Sequence, residues 1–217
     1  MLDWVPMPTF TFIDRVIDQL DQTLRTFAGP ASGAPYPDSV PKTAETLSDA
    51  DRQKVARLMR VNHAGEVAAQ ALYHGHALCA TSTAVHKSLR AAARDELAHL
   101  GWTAGRVHEL GGHRSYLTPF WYMGSWAIGV GTSLMGDRVS LGFVAETERQ
   151  VVAHLQGHLQ RLPSGDHKSR AILEQMIVDE GRHATQAVEA GGSRLGWLAR
   201  SAMLAAARVM TTTAYWL

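Results

Sequence analysis

Arg94-Asp95-Glu96-Leu97-Ala98-His99 returns in altered form as Val178-Asp179-Glu180-Gly181-Arg182-His183, and these two hexapeptides decide the fold. Both contain Asp-Glu-x-x-His. Three residues along an α-helix rotate by about 300°, so the Glu and His of each copy share one face and reach the same metal ion. Two such motifs imply two ions. A lone glutamate precedes each copy, with Glu66 standing 30 residues before Glu96 and Glu148 standing 32 before Glu180. The chain has 9 Glu and 11 His in 217 residues, so random placement yields only about 0.5 Glu-x-x-His matches. A doubled motif, each copy with its Asp and its upstream Glu, is much harder to obtain by accident.

Four helices bearing Glu, Glu-x-x-His, Glu and Glu-x-x-His are the ligand set of a ferritin-like bundle with a di-iron or di-manganese carboxylate centre. The helix signals agree with that count. Ser48 followed by Asp51 starts a helix on which Val55, Leu58, Asn62, Glu66, Ala69, Tyr73 and His76 form the inward stripe. Leu89, Ala92, Glu96, His99, Thr103, Val107 and Leu110 form the stripe of a second helix over about 84–110, which Gly111-Gly112 ends. Asp137 is expected to cap the third, with Leu141, Val144, Glu148, Val151, Leu155, Leu159 and Leu162 inward and a stop at Pro163. Asp166 caps the fourth, with Leu173, Met176, Glu180, His183 or Ala184, and Ala187 inward as far as Gly191-Gly192.

On those stripes Glu66 faces the core, and a buried carboxylate requires a cation or a proton. Glu146 falls off the stripe that carries Glu148, so helical phase selects Glu148. His63 lies one turn before Glu66 but is surplus to one histidine per half. His74 and His76 read as surface or outer-layer residues, and His86, His108 and His113 as exposed. His154, six residues past Glu148, falls behind the ligands as an outer proton donor or a packed histidine.

Carboxylates and imidazoles without thiolates suit iron or manganese, and four glutamates neutralise two divalent ions. The six ligands expected are Glu66, Glu96, His99, Glu148, Glu180 and His183, with Glu66 and Glu148 terminal and Glu96 and Glu180 bridging. Six protein ligands leave open positions on two ions that take about 10 to 12 between them, which implies a catalytic centre. Asp95 and Asp179 are placed for each to orient the histidine of the opposite motif through its free ring nitrogen.

The remaining segments set the context. Residues 1–47 read as an amphipathic helix over 11–28, with Ile13, Val16, Ile17, Leu20, Leu24 and Phe27 on one face, and a Pro/Gly-rich linker over 29–47. Docking on the bundle is favoured over anchoring at a membrane because the polar face is not basic. Residues 48–192 make the bundle. Within it, residues 115–136 carry no charge and are long enough to raise a transmembrane span. Pro119, four glycines, aromatics crowded at one end and no basic flank point instead to a half-buried crossover between helices 2 and 3 that touches the membrane interface, or to an ordinary buried crossover. Residues 193–217 hold Arg194, Arg200 and Arg208 with no acid, and read as a basic amphipathic helix at an anionic surface or an Ala-rich helix packed on the bundle. The fold class expected is therefore all-α, a ferritin-like four-helix bundle with a long apolar crossover and accessory helices at both ends.

Composition narrows the function. A formal net charge of +1 and a pI near 8.0 give no sign of a nucleic-acid partner. Cys79 is the only cysteine, which excludes an internal disulfide and a Cys-based metal site and fits a reducing cytoplasm. The first dozen residues lack the basic and apolar regions of a signal peptide.

Arg60-Val61-Asn62-His63-Ala64-Gly65-Glu66, both Asp-Glu-x-x-His motifs and the charge-free crossover together resemble the Coq7 family of demethoxyubiquinone hydroxylases over roughly residues 48–192. That resemblance implies a di-iron monooxygenase that hydroxylates a polyprenyl quinone precursor of ubiquinone with O2 and reducing equivalents from NADH. It also implies a peripheral protein of the cytoplasmic face of the inner membrane, in contact with lipid and with other ubiquinone-biosynthesis proteins. The family's ligands fall on Glu66, Glu96, His99, Glu148, Glu180 and His183. Some members carry a tyrosine after the histidine matching His154, where this chain has Leu155. The alternatives are a manganese catalase, a rubrerythrin-like peroxidase, which usually brings a Cys-rich segment, an iron store, and a helical scaffold with no metal.

Overall fold

Among the described residues, 12–28, 35–41 and 46–217 of the computed structural model, every regular element is helical. The helices are α1 (Phe12–Ala28), α2 (Asp49–Cys79), α3 (Thr83–Glu109), α4 (Thr118–Leu134), α5 (Asp137–Arg161), α6 (His167–Glu189) and α7 (Trp197–Trp216). Expectations for residues 1–11 and for 29–34 and 42–45 of the linker lie outside the described residues.

Local chemistry sets most of the boundaries. Ser48 Oγ accepts from the Asp51 amide at 3.1 Å, and Asp166 Oδ1 accepts from that of Ser169 at 3.0 Å, so each satisfies a first-turn donor that has no helical partner. Gly111 and Gly191 take φ of 72° and 99°, the left-handed conformation that ends α3 and α6. Asp137 departs from its expected role. Gly136 is the N-cap of α5, and the Asp137 carboxylate instead accepts from the backbone amides of Thr81 and Ser82 at 3.0 and 2.8 Å. The free amides of the turn before α3 outcompete those of its own helix.

Short turns make α2–α3 and α5–α6 two hairpins, and their packing forms the bundle. Its core is split along the axis. Leu58 and Met59 of α2 join Trp102, Leu155, Leu173 and Met176 in one apolar cluster, while Tyr73 of α2 joins Leu89, Leu141, Val144 and Ala187 in another. On every bundle helix the motif residues fall between the two clusters. The polar centre is thus sealed above and below by hydrocarbon.

The crossover is the helix α4, laid along α2, and among the described residues no helix is long and apolar enough to cross a membrane. Two glycines allow the close crossing. A Cβ on Gly129 would stand 2.5 Å from the Leu72 carbonyl oxygen, and one on Gly75 would stand 2.4 Å from that of Trp126. Both obstacles are backbone and cannot yield as a side chain does. Gly129→Ala is therefore expected to cost about 1–3 kcal/mol through overpacking. A urea midpoint unchanged from wild type would refute that contact.

Cover by α4 rules out the surface reading of His74 and His76, both buried, and leaves the outer-layer one. His74 Nδ1 lies 3.2 Å from Tyr122 Oη, and His76 Nδ1 lies 2.6 Å from Ser140 Oγ. A four-helix pattern leaves that face of α2 open, whereas the crossover closes it. His86 is half-buried, with Nδ1 2.9 Å from the Ala77 carbonyl oxygen, while His108 and His113 are exposed.

Helix α1 docks, but by its polar face. Arg90 forks onto the Asp18 carboxylate, Gln19 donates to the His74 carbonyl oxygen at 3.3 Å and accepts from Trp126 Nε1 at 3.1 Å, and Thr23 pairs with Tyr122 Oη at 2.8 Å. Ile13, Ile17, Leu20 and Leu24 consequently point to solvent, at 59–69% exposure. The half-covered polar groups of α2, α3 and α4 demand partners, and only the polar side of α1 supplies them. Phe120 and Met123 of α4 and Trp197, Leu198 and Val209 of α7 are exposed too. Arg200 of α7 turns inward instead, its Nε 3.1 Å from the buried Glu146.

Candidate metal centre

The side chains meet where the two hairpins face each other. Glu66 of α2, Glu96 and His99 of α3 and Glu180 of α6 are all buried, and their ligand atoms lie within 4.8 Å of one another. Around His99 Nδ1 stand Glu180 Oε1 at 3.1 Å, Glu96 Oε2 at 3.3 Å and Glu66 Oε2 at 3.7 Å. The second half repeats the shared part of this arrangement. His183 Nδ1 stands 3.2 Å from Glu96 Oε1 and 3.3 Å from Glu180 Oε2. Glu96 and Glu180 each present one oxygen to either histidine, so both carboxylates span the halves. Glu148 Oε1 is 2.7 Å from Tyr73 Oη, close enough to Glu180, Glu96 and His183 to feel their charges.

Each histidine turns its other nitrogen to the opposite motif. His99 Nε2 lies 3.2 Å from Asp179 Oδ2, and His183 Nε2 lies 3.2 Å from Asp95 Oδ2. A neutral imidazole has one proton, and when the outer aspartate takes it at Nε2 the lone pair at Nδ1 faces only carboxylate oxygens. A cation must stand there, or extra protons must. Bonds of about 2.0–2.2 Å to one ion put neighbouring ligand atoms roughly 3.0–3.5 Å apart, which is the spacing of Glu96 and Glu180 around both histidines, with Glu66 farther out at 3.7 Å. Glu66 Oε2 is moreover buried with no hydrogen bond. The donor set therefore fits divalent metal.

Titration behaviour agrees with a cluster built for cations. Burial, then the charges of Glu96 and Glu180, hold Glu66 well above the ordinary carboxylate range, and burial, then Glu180 and Glu96, do the same to Glu148. Burial opposes protonation of the histidines, yet Glu180 and Glu96 push His183 up to about 11, and Glu96 with Asp179 and Glu180 raises His99. Metal binding displaces these protons.

The outer aspartates differ in exposure. The Asp179 side chain is 13% exposed and also accepts from Gln175 at 3.1 Å, whereas that of Asp95 is 52% exposed; Arg182 reaches both. Asp179→Asn should weaken metal affinity by about 10–100-fold, and Asp95→Asn by less. Equilibrium dialysis decides it, and unchanged affinity in both variants would refute the orienting role.

Not every histidine considered joins the cluster. His63 is buried beside Arg114 with neither ring nitrogen bonded, and burial, then that charge, lowers it to about 3. His154 packs against His158 with the rings tilted by 56° and their centroids 4.0 Å apart, and burial, then Arg161, lowers it to about 4. Glu146 is buried, but facing Arg200 and Arg149. Tyr73 is the polar group beside the cluster that pattern reading assigned to packing alone. Its signal was its place two turns past Glu66 on the inward stripe, where a phenol needs a partner.

Four helices enclosing a twofold set of carboxylates and imidazoles define a ferritin-like bundle with a candidate di-metal centre. Residues 53–214 match the family described as ubiquinone biosynthesis protein COQ7. The chain is 53% identical over 206 residues to the 3-demethoxyubiquinol 3-hydroxylase of Nitrosococcus oceani, covering 94% of this chain and 96% of that relative. It is 53% identical over 205 residues to the protein of the same name from Aromatoleum aromaticum, and 51% identical over 205 to that from Nitrosospira multiformis; each alignment covers 94% of this chain and 98% of the relative. The chain belongs to the COQ7 family.

Proposed function

We propose that this protein is a di-iron monooxygenase that hydroxylates the ring of demethoxyubiquinol in ubiquinone biosynthesis, with O2 as oxidant and NADH as the source of electrons. The observation that carries this is the pair of histidines whose Nδ1 atoms face shared carboxylates, in a chain whose relatives are named for that hydroxylation. The reaction replaces a ring C–H by C–OH; the second oxygen atom leaves as water, taking two electrons and two protons.

Glu66, Glu96, Glu180 and His99 would hold one ion, and Glu148, Glu96, Glu180 and His183 the other. When bound, the iron pair supplies the activation of dioxygen. The protein contributes position and dryness. Asp179 and Asp95 fix the imidazole orientation, four carboxylates balance two divalent charges, and the flanking apolar clusters keep bulk water from the centre. The exposed apolar faces of α1, α4 and α7 support peripheral attachment to the cytoplasmic face of the inner membrane, where a polyprenyl quinone resides. Ubiquinone-biosynthesis proteins are the expected partners, with no nucleic acid.

Deleting the gene in a ubiquinone-dependent bacterium should cause the demethoxy precursor to accumulate, and the wild-type gene should clear it. Without that accumulation the proposal fails. Two manganese ions per chain with rapid peroxide disproportionation would point to a catalase instead.

A further inference from the structure

The halves of the centre match in their Glu-x-x-His motifs, and besides the outer aspartates they differ at a buried position beside the lone glutamates. Tyr73 follows Glu66 by seven residues, and the residue seven past Glu148 is Leu155. Both are buried, at 1% exposure. Tyr73 reaches across the bundle and donates to Glu148 Oε1 at 2.7 Å, and its ring stands edge-on to His183 at 6.5 Å and 80°. A carboxylate has no proton to give, so the phenol is the donor. Leu155 has no polar atom to return the contact, and Glu66 Oε2 is buried with no hydrogen-bond donor among the described residues.

The two carboxylates outside the shared pair are therefore held differently. Glu148 is fixed by one oxygen to a phenol whose ring is locked between α2, α3 and α5, where Leu89, Leu141 and Val144 pack around it. Glu66 has no phenol on it, and lies instead beside the Glu96 carboxyl group and His99, whose Nδ1 is 3.7 Å from Oε2.

We propose that Tyr73 is a positioning residue that makes the two halves unequal, by engaging Glu148 Oε1 so that Glu148 would meet a metal ion through Oε2, while no phenol restrains Glu66. This rests on the di-metal reading above. The ion beside His183 is then held by a rigid one-oxygen carboxylate, and the ion beside His99 by one able to change its mode of attachment. The two ions accordingly bind with different affinity and coordination.

Cobalt(II), added anaerobically to the metal-free full-length protein, tests this, since its visible bands report coordination number independently of turnover. Wild type should take up two ions in distinguishable steps with two sets of bands. Tyr73→Phe keeps the ring and removes only the hydroxyl. It should weaken one step by about tenfold and shift one set of bands, leaving the other unchanged. A variant that binds both ions with wild-type affinity and spectrum overturns the role of Tyr73 while leaving the di-metal reading intact. Should Tyr73→Phe fail to fold, wild type decides alone: two unequal ions support the proposal, and two indistinguishable ones overturn it. Wild type that binds no cobalt or iron overturns the di-metal reading and the proposal together.

Discussion

On the proposed di-iron reading, Glu180→Ala is expected to cut bound iron from two ions per chain to less than one and to reduce hydroxylation to background. Glu180 Oε1 lies 3.1 Å from His99 Nδ1, and Oε2 lies 3.3 Å from His183 Nδ1, so one deletion strips a ligand from both halves. Glu148→Ala removes a carboxylate that serves one half and should leave one ion bound. Loss of fold is separable from loss of site. In the metal-free protein Glu180 is one of the charges that raise Glu66 and Glu148, and removing it relieves repulsion among buried carboxylates, which offsets the counter-charge taken from His183 and His99. Metal-free Glu180→Ala should therefore melt no lower than metal-free wild type, apart from the cost of the cavity left behind, a few kcal/mol at most. Metal analysis by mass spectrometry and quinone analysis by chromatography supply the measurements. A variant that keeps both ions and its activity would remove Glu180 from the shared position.

Much of this arrangement is periodic and so was readable in one dimension. Glu66, Glu96, Glu148 and Glu180 each sit at an inward helical position, and three residues from Glu to His is a fixed rotation, so which residues face one another follows from phase. The crossed pairing of Asp179 with His99 and Asp95 with His183 follows from the same rule once the motifs oppose each other. What did not follow is whatever depends on a neighbour distant in sequence. His74 and His76 are buried by a helix that begins over forty residues later. Helix α1 shows the limit most clearly, because its apolar stripe predicts burial, yet unpaired groups on Tyr122, Trp126 and Arg90 claim its polar side. Amphipathicity shows that a helix has two faces; the neighbours decide which face they take. Glu146 likewise fell off the inward stripe but is buried against Arg200 of a helix whose docking has no periodic signature.

The second large effect lies away from the centre, at the turn between α5 and α6. Asp166 is fully buried, accepting from Arg106 Nη2 at 2.8 Å and from the Ser169 amide at 3.0 Å, and Arg106 Nε donates to Ser169 Oγ at 2.8 Å. One carboxylate thus caps α6 and ties it to α3, and these two helices carry four of the six candidate metal ligands. Asp166→Ala removes the cap and leaves a buried guanidinium short of its main counter-charge. Breaking one side of a buried pair costs about 3–5 kcal/mol, equivalent to a fall of roughly 6–20 °C in melting temperature for a chain of this size. Arg106→Met should cost a similar amount by stranding Asp166 instead. Combining Arg106→Met with Asp166→Ala should cost less than the sum by about 0.5–3 kcal/mol, because neither charge is then left behind. The protein that remains folded should still bind both ions, since neither side chain touches the ligand cluster. Additive losses below about 1 kcal/mol each would mean that water satisfies these charges and that the α3–α6 alignment depends on the apolar contacts of Trp102, Val107, Ile172 and Met176.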